Sequence, residues 1–193
     1  MHNIILASKS KVRKKILEEN KIECFVEPAN VDEDLVKESL LKDNVSPDII
    51  SKNLAELKAN KISQKMNDEL VLGADSVIDL EGKLISKPSS RDDAFSILMK
   101  LNGKTHYLFS SVCISKNGMM IWNYTDKAAL TMKNMSEKEI KEYLEKISDE
   151  ALFAYNVYQI EADGRSLFSK IEGDENTIMG LPINKIKEYI GSF

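Results

Sequence analysis

The stretch from Lys104 to Met132, "KTHYLFSSVCISKNGMMIWNYTDKAALTM", constrains the fold more than any other part of this chain. It is a long run of strand-forming residues, and its turn signal is Asn117-Gly118. That dipeptide closes tight hairpins because both residues tolerate positive φ. Strands joined by so short a turn pair antiparallel. Helix-like and strand-like runs are mixed through the rest of the chain, so the hairpin predicts a mixed α/β sheet rather than a purely parallel one.

The other elements follow from periodicity and punctuation. "NIILAS" (3–8) reads as a buried strand, and "SKVRKKILEENK" (10–21, with Ser8 or Ser10 as N-cap) as a helix. "IECFVEPANVDED" reads as a second strand broken at Pro28, then a loop bearing Asp32, Glu33 and Asp34. A long helix is predicted from Ser46, with Pro47 in its first turn and an apolar stripe of Ile50, Leu54, Leu57 and Ile62. "ELVLGADSVIDLEGKLISKP" reads as strand, Gly-Ala-Asp interruption, strand and Glu-Gly turn. A helix with an acidic first turn then runs to Gly103, and Ser136 with Glu139 forms a capping box for another. "ADGRSLFSKIEG" is expected as a hairpin, and Pro182 opens the last helix. No internal repeat or low-complexity linker divides the 193 residues, so a single domain, 1–193, is expected, enough chain to bury a core without staples.

Composition removes several function classes. The chain carries 31 acidic against 27 basic residues, a net charge of -4, which disfavours a dedicated nucleic-acid binder. The two cysteines, Cys24 and Cys113, lie far apart and are read as buried thiols in a reducing compartment. With His2 and His106 the only histidines, a His-based zinc site is disfavoured. No apolar run approaches the roughly 18 residues of a membrane span, and the N-terminus lacks the apolar length of a signal peptide. No membrane partner and a cytoplasmic location are expected.

Against that acidic balance, Lys9, Lys11, Arg13, Lys14 and Lys15 crowd one helix start. This is the wrong sign for the positive end of a helix dipole, unless an anion is meant to sit there. Two readings stay open: a phosphate site, or a solvated basic face on a helix whose apolar side is Val12, Ile16 and Leu17. There is no Walker motif and no GxGxxG. In "LVLGADSVI", Asp75 follows an apolar strand and a small Gly-Ala pair, and is expected at a strand end, suited to holding a divalent cation or acting as a general base. Its alternative is an Asp capping a turn. "NVDED" offers hard oxygen ligands for Mg²⁺, though taken alone it reads as a solvated acidic loop, and Lys87, before Pro88, is an isolated cation in an extended segment. Asp174 and Glu175 are read as a solvated loop. An anion site, carboxylates for a metal and a lone lysine together suit a nucleoside polyphosphate with bound magnesium.

These motifs, in order along the whole chain, resemble the Maf family, also called the septum formation inhibitor family. "LASKSKVRKKIL" resembles its LASxSPRRxxLL, "VDE" its acidic element, "LAELKANKI" its LAxxKAxxV and "GADSVI" its GADTVV. "KP" with "DDAFSILMKLNGKTH" resembles its KPxxxxxAxxmLxxLSGxxH block, and "YQIEADGRSLFSKIEGDENTIMGLPI" its C-terminal segment. The resemblance implies a twisted mixed sheet with flanking helices, two lobes around a central cleft, similar to the house-cleaning inosine triphosphatases. It implies a nucleoside triphosphate pyrophosphatase that cleaves between the α and β phosphates, releasing the monophosphate and pyrophosphate. By the same resemblance Asp75 is the catalytic proton acceptor and Glu33 and Asp75 hold a divalent cation, Mg²⁺ or Mn²⁺. Ser8, Arg13, Lys58 and Lys87 contact the phosphates. A homodimer is expected by family analogy.

Three positions that the family links to base selection depart from its pattern. Its Pro-Arg before Arg13 is Lys11-Val12 here, Ser76 replaces Thr, and Glu161 takes the Gln position. Val12, Ser76 and Glu161 match neither the dTTP/UTP branch (Arg, Thr, Gln) nor the 7-methyl-GTP branch (Trp, Gln, Glu). Glu161, an acceptor only, suits a base edge carrying amino donors over uracil or thymine. The competing reading is a catalytically silent nucleotide-binding regulator of cell division acting through a protein partner.

Overall fold

The computed structural model describes residues 4–155, 157–160 and 162–192, and Glu161 lies outside them. Strand β1 (Ile4–Leu6) leads into α1 (Lys11–Glu19) and β2 (Cys24–Val26). Helices α2 (Glu33–Lys42) and α3 (Pro47–Ser63) precede β3 (Leu70–Leu80), β4 (Lys83–Ile85) and α4 (Arg91–Leu101). The predicted hairpin is β5 (Thr105–Lys116) and β6 (Met119–Met132). Then come α5 (Glu137–Glu145), α6 (Asp149–Tyr155), a short 3₁₀ turn, β7 (Phe168–Glu172), α7 (Glu175–Ile178) and α8 (Ile183–Ile190).

One mixed sheet of seven strands results, in the order β2-β1-β3-β5-β6-β7, with β4 added to the end of β3. β1 pairs parallel with both β2 and β3, which the α1 and α3 crossovers make feasible. Every other pairing is antiparallel. Asn117 and Gly118 at the hairpin tip have φ of 51° and 79°, as the primed turn requires. The capping box at Ser136 and Glu139 is present in full.

The core divides in two along β3. Its first half packs with β1, α1, α3 and α8 through Val71, Leu72 and Ala74. Its second half joins α4, α5 and β7 through Ile78 and Leu80. Asp75 and Ser76 fall where these two bodies of apolar side chains meet, and a cleft opens there.

Several expectations are corrected. Gly-Ala-Asp does not interrupt a strand: β3 runs unbroken for 11 residues and carries Asp75 at its middle, not at a strand end. Glycine survives there because α3 lies directly on it. A Cβ at Gly73 would meet the Ala55 carbonyl oxygen at 2.1 Å and the Ala59 nitrogen at 2.7 Å. The acidic loop is instead the start of α2, with Asp32 as N-cap accepting from the Leu35 amide. That helix buries no residue, so it left no apolar stripe to read. In α3, Ile50, Leu54 and Ile62 are buried, whereas Leu57 is 38% exposed. Residues 162–173 are no hairpin, because the 3₁₀ turn precedes a single strand that pairs with distant β6. Asp174 and Glu175 are not a loop, since Asp174 caps α7 by accepting from the Thr177 amide. Cys113 is buried, but Cys24 is only half-buried.

Candidate active site

A cleft of about 440 Å³ is lined by Ser8, Val12, Arg13, Glu33, Lys58, Asp75, Ser76 and Lys87. Every site residue expected from the sequence is therefore brought to one place, Glu161 excepted because it lies outside the described residues. Its neighbours Gln159 and Ile160 line the same cleft. Among the described residues, the lining carries five cations (Lys9, Arg13, Lys37, Lys58, Lys87) against two carboxylates, Glu33 and Asp75. A chain of net negative charge thus presents a locally positive cavity, suited to a polyanion.

The basic helix start resolves into two kinds of residue. Lys14 and Lys15 pair with Glu18 and Glu19 one turn on, at 3.4 and 3.7 Å, and are a solvated face. Lys9 and Arg13 turn to the cleft. Ser10 is the N-cap, accepting from the Arg13 amide at 3.3 Å, and Ser8 accepts from the Ser10 amide at 3.2 Å. The helix contains no acidic residue in its first turn, so its positive end faces the cleft uncompensated.

Arg13 is used mainly within the protein. Its Nε donates to the Gly180 carbonyl at 3.0 Å, and Nη1 to the Ala74 carbonyl at 2.9 Å and Ser8 Oγ at 3.2 Å. Nη2 donates to Ser76 Oγ at 3.2 Å. Four of the guanidinium's five N–H groups are committed this way. Burial pulls its pKa down, while Asp75 and Glu33 oppose that and favour the charged form. Gly180 (φ 97°) is held against this fork, and a Cβ there would stand 3.0 Å from Ser76 Oγ. Ser110 Oγ donates to the Thr177 carbonyl at 2.7 Å, so in the 2.9 Å Ser76–Ser110 contact the Ser76 hydroxyl is the donor. The Ser76 proton therefore points inward, along a chain that continues from Thr177 Oγ1 to Asp126 at 2.6 Å. Nothing in the sequence signals this network, since its members are far apart in the chain.

Asp75 is 4% exposed. Lys58 reaches off α3 to its Oδ1 at 2.8 Å and to Glu33 Oε1 at 2.7 Å. Burial pushes the Glu33 carboxyl up, but the charge and hydrogen bond of Lys58, with Lys37 and Lys87 behind, outweigh it and hold its pKa below the usual range. Lys87 has no ion-pair partner within 4 Å among the described residues, while burial, with Lys37 and Arg13 nearby, lowers its pKa against the pull of Glu33 and Asp75. Asp75 Oδ2 is buried with no hydrogen-bond partner among the described residues. An orphaned buried acceptor costs about 1–3 kcal/mol, so it marks a place prepared for something else. The described residues contain no cluster of three or more His, Cys, Asp or Glu. Two converging carboxylates, one with an unused oxygen, nevertheless fit a hard divalent ion that draws its remaining ligands from water and phosphate. Chemically, the arrangement can hold a polyphosphate and take a proton from water at Asp75.

Comparison with known proteins identifies the family. Residues 3–193 match the model of a family described as Maf-like protein. A "Nucleoside triphosphate pyrophosphatase" of Pelagibacter ubique is 74% identical over 187 residues, covering 97% of this chain and 96% of the relative. A "7-methyl-GTP pyrophosphatase" of Bartonella quintana is 39% identical over 181 residues, covering 93% and 90%. Among solved structures, the Staphylococcus aureus Ham1 protein overlaps 70% of this chain and 72% of its own at TM-score 0.43 and 15% identity.

Proposed function

This chain belongs to the Maf-like family, and on that premise we propose how it acts: it is a nucleoside triphosphate pyrophosphatase whose catalytic base is Asp75. It hydrolyses the bond between the α and β phosphates, leaving the monophosphate and pyrophosphate. The observation that carries this reading is the buried, partnerless Oδ2 of Asp75 in a cleft whose other charges are mostly cationic.

The chain's own groups divide the work. The N-terminus of α1, Ser8 and the cations Lys9 and Lys87 receive the triphosphate. Arg13 adds charge and one remaining N–H, while its other donors fix the Gly180 turn as the wall of the site. Asp75 Oδ2 accepts the proton of the attacking water. Glu33 and Asp75 are the residues that would hold a divalent cation, Mg²⁺ or Mn²⁺. Such an ion neutralises charge on the phosphates and acidifies water when bound.

Of the three base-selection positions, 12, 76 and 161, the second is turned away from the base. The inward Ser76 hydroxyl leaves base contact to Val12 and to the 159–161 segment, where Glu161 favours guanine- or cytosine-type edges, 7-methyl-GTP included. The enzyme is taken to work in the cytoplasm on free nucleotides, in a house-cleaning role, as a homodimer by family analogy. The alternative, a silent regulator, gives no reason to keep an unsatisfied carboxylate at the floor of the cleft.

The test is pyrophosphate release from 7-methyl-GTP, GTP, CTP, UTP and dTTP, with the products resolved by ³¹P NMR. Monophosphate plus pyrophosphate is expected, with the amino-bearing bases preferred. Orthophosphate as the product, or no turnover of any of the five, would overturn the reading.

A further inference from the structure

Lys58 carries an implication beyond phosphate contact. It is 7% exposed, and its ammonium has three protons to place. Glu33 Oε1 lies at 2.7 Å, Asp75 Oδ1 at 2.8 Å and the Ala74 carbonyl at 3.5 Å. All three protons thus face protein oxygens, and the two short contacts go to the very carboxylates assigned to the divalent ion. Without a cation between them, the buried Asp75 and half-buried Glu33 carboxylates would repel each other.

We propose that Lys58 is a resident counter-ion, occupying the cation position between Glu33 and Asp75 in the free protein and giving it up when a divalent ion arrives. This rests on the reading of Glu33 and Asp75 as the ion's ligands. The consequence is a coupled site. An ion entering alone must break two short charge-assisted hydrogen bonds and strand the ammonium, so its affinity for the free protein is low. A triphosphate entering with the ion gives the released ammonium a new anionic partner, so each favours the other's binding. The lysine that keeps the empty site stable becomes a phosphate ligand in the filled one.

Two variants and Mn²⁺ separate this from a general charge effect. Lys58→Met removes the bridge at similar length. Lys37→Met removes the same charge from the other side of Glu33, where Lys37 sits 3.8 Å from Oε2. Mn²⁺ binding to each free protein is read from the EPR signal of unbound Mn²⁺. Lys58→Met is expected to bind at least about tenfold more tightly than wild type, the effect of removing roughly one short ion pair from the competition. Lys37→Met is expected to stay within about threefold, as its contact is longer and touches Glu33 alone. Equal or weaker binding by Lys58→Met, or equal tightening in both variants, would overturn the inference.

Should Lys58→Met fail to fold, wild type answers instead. The rate of reductive methylation at Lys58, mapped by mass spectrometry, should be low in chelator and rise several-fold with Mn²⁺. An unchanged rate overturns the inference. So does absence of Mn²⁺ binding in every protein, while retained pyrophosphate release would leave the pyrophosphatase reading intact.

Discussion

Replacing Gly73 by alanine couples the fold to the chemistry more directly than any other single change. Gly73 and Asp75 lie on the same face of β3, two residues apart, beneath α3. The added Cβ would sit 2.1 Å from the Ala55 carbonyl oxygen, against at least 3.4 Å for ordinary contact. The obstruction is helix backbone, which no side-chain rotation relieves. Helix α3 must therefore retreat by roughly 1.3 Å, at or above the upper end of the roughly 1–3 kcal/mol typical of overpacking. In a domain of this size about 3 kcal/mol corresponds to roughly 6–12 °C in Tm. The same retreat draws Lys58, three residues along α3 from Ala55, off Asp75 Oδ1. A misplacement near 1 Å at a catalytic group costs up to about 10²-fold in rate. Thermal unfolding followed by circular dichroism, with pyrophosphate release on the same protein, measures both effects. A Gly73→Ala protein with native Tm and native kcat would refute the close approach of α3 and its role in holding the site.

Arg13→Lys keeps the charge but cannot span Gly180, Ala74, Ser8 and Ser76, so it should lose about 2–4 kcal/mol of stability and most activity; native Tm and KM would show the fork is dispensable. His106 is fully buried against the Tyr158 hydroxyl at 2.8 Å, and burial holds its pKa down to about 4. The unfolded chain binds that proton near 6.5, so this contribution to stability is intact above pH 6.5 and is lost as pH falls toward 4, by roughly 3 kcal/mol in total. His106→Phe should flatten the stability profile between those limits, and an unchanged slope in urea titrations would refute the assignment. Activity should vanish in excess chelator and return with Mg²⁺ or Mn²⁺, and undiminished turnover would remove the ion from the scheme.

What could be read in the sequence was what is encoded locally. The Asn117-Gly118 turn needs positive φ and the capping box needs Ser136 and Glu139 three apart, so both were legible. Helix α2 was missed because a helix that buries nothing has no stripe, and Leu35 on it is 63% exposed. Asp75 was placed at a strand end because a charged residue after Gly-Ala ordinarily stops a strand. Here Lys58, from another element, meets that charge and lets β3 continue. The site residues were named by motif resemblance, whereas their pairings were not legible. Arg13 with Gly180, and Lys58 between Glu33 and Asp75, are long-range contacts that no local pattern encodes.

If Asp75 takes the proton from the attacking water, the single-turnover rate of pyrophosphate release by Asp75→Asn, with the preferred triphosphate and Mg²⁺, must register its loss. Asn is nearly isosteric and keeps an oxygen for Lys58, so the fold should hold, which circular dichroism checks. A loss of at least about 10²-fold in that rate is expected, the scale of a removed general base. A folded Asp75→Asn protein with a near-native rate would contradict it.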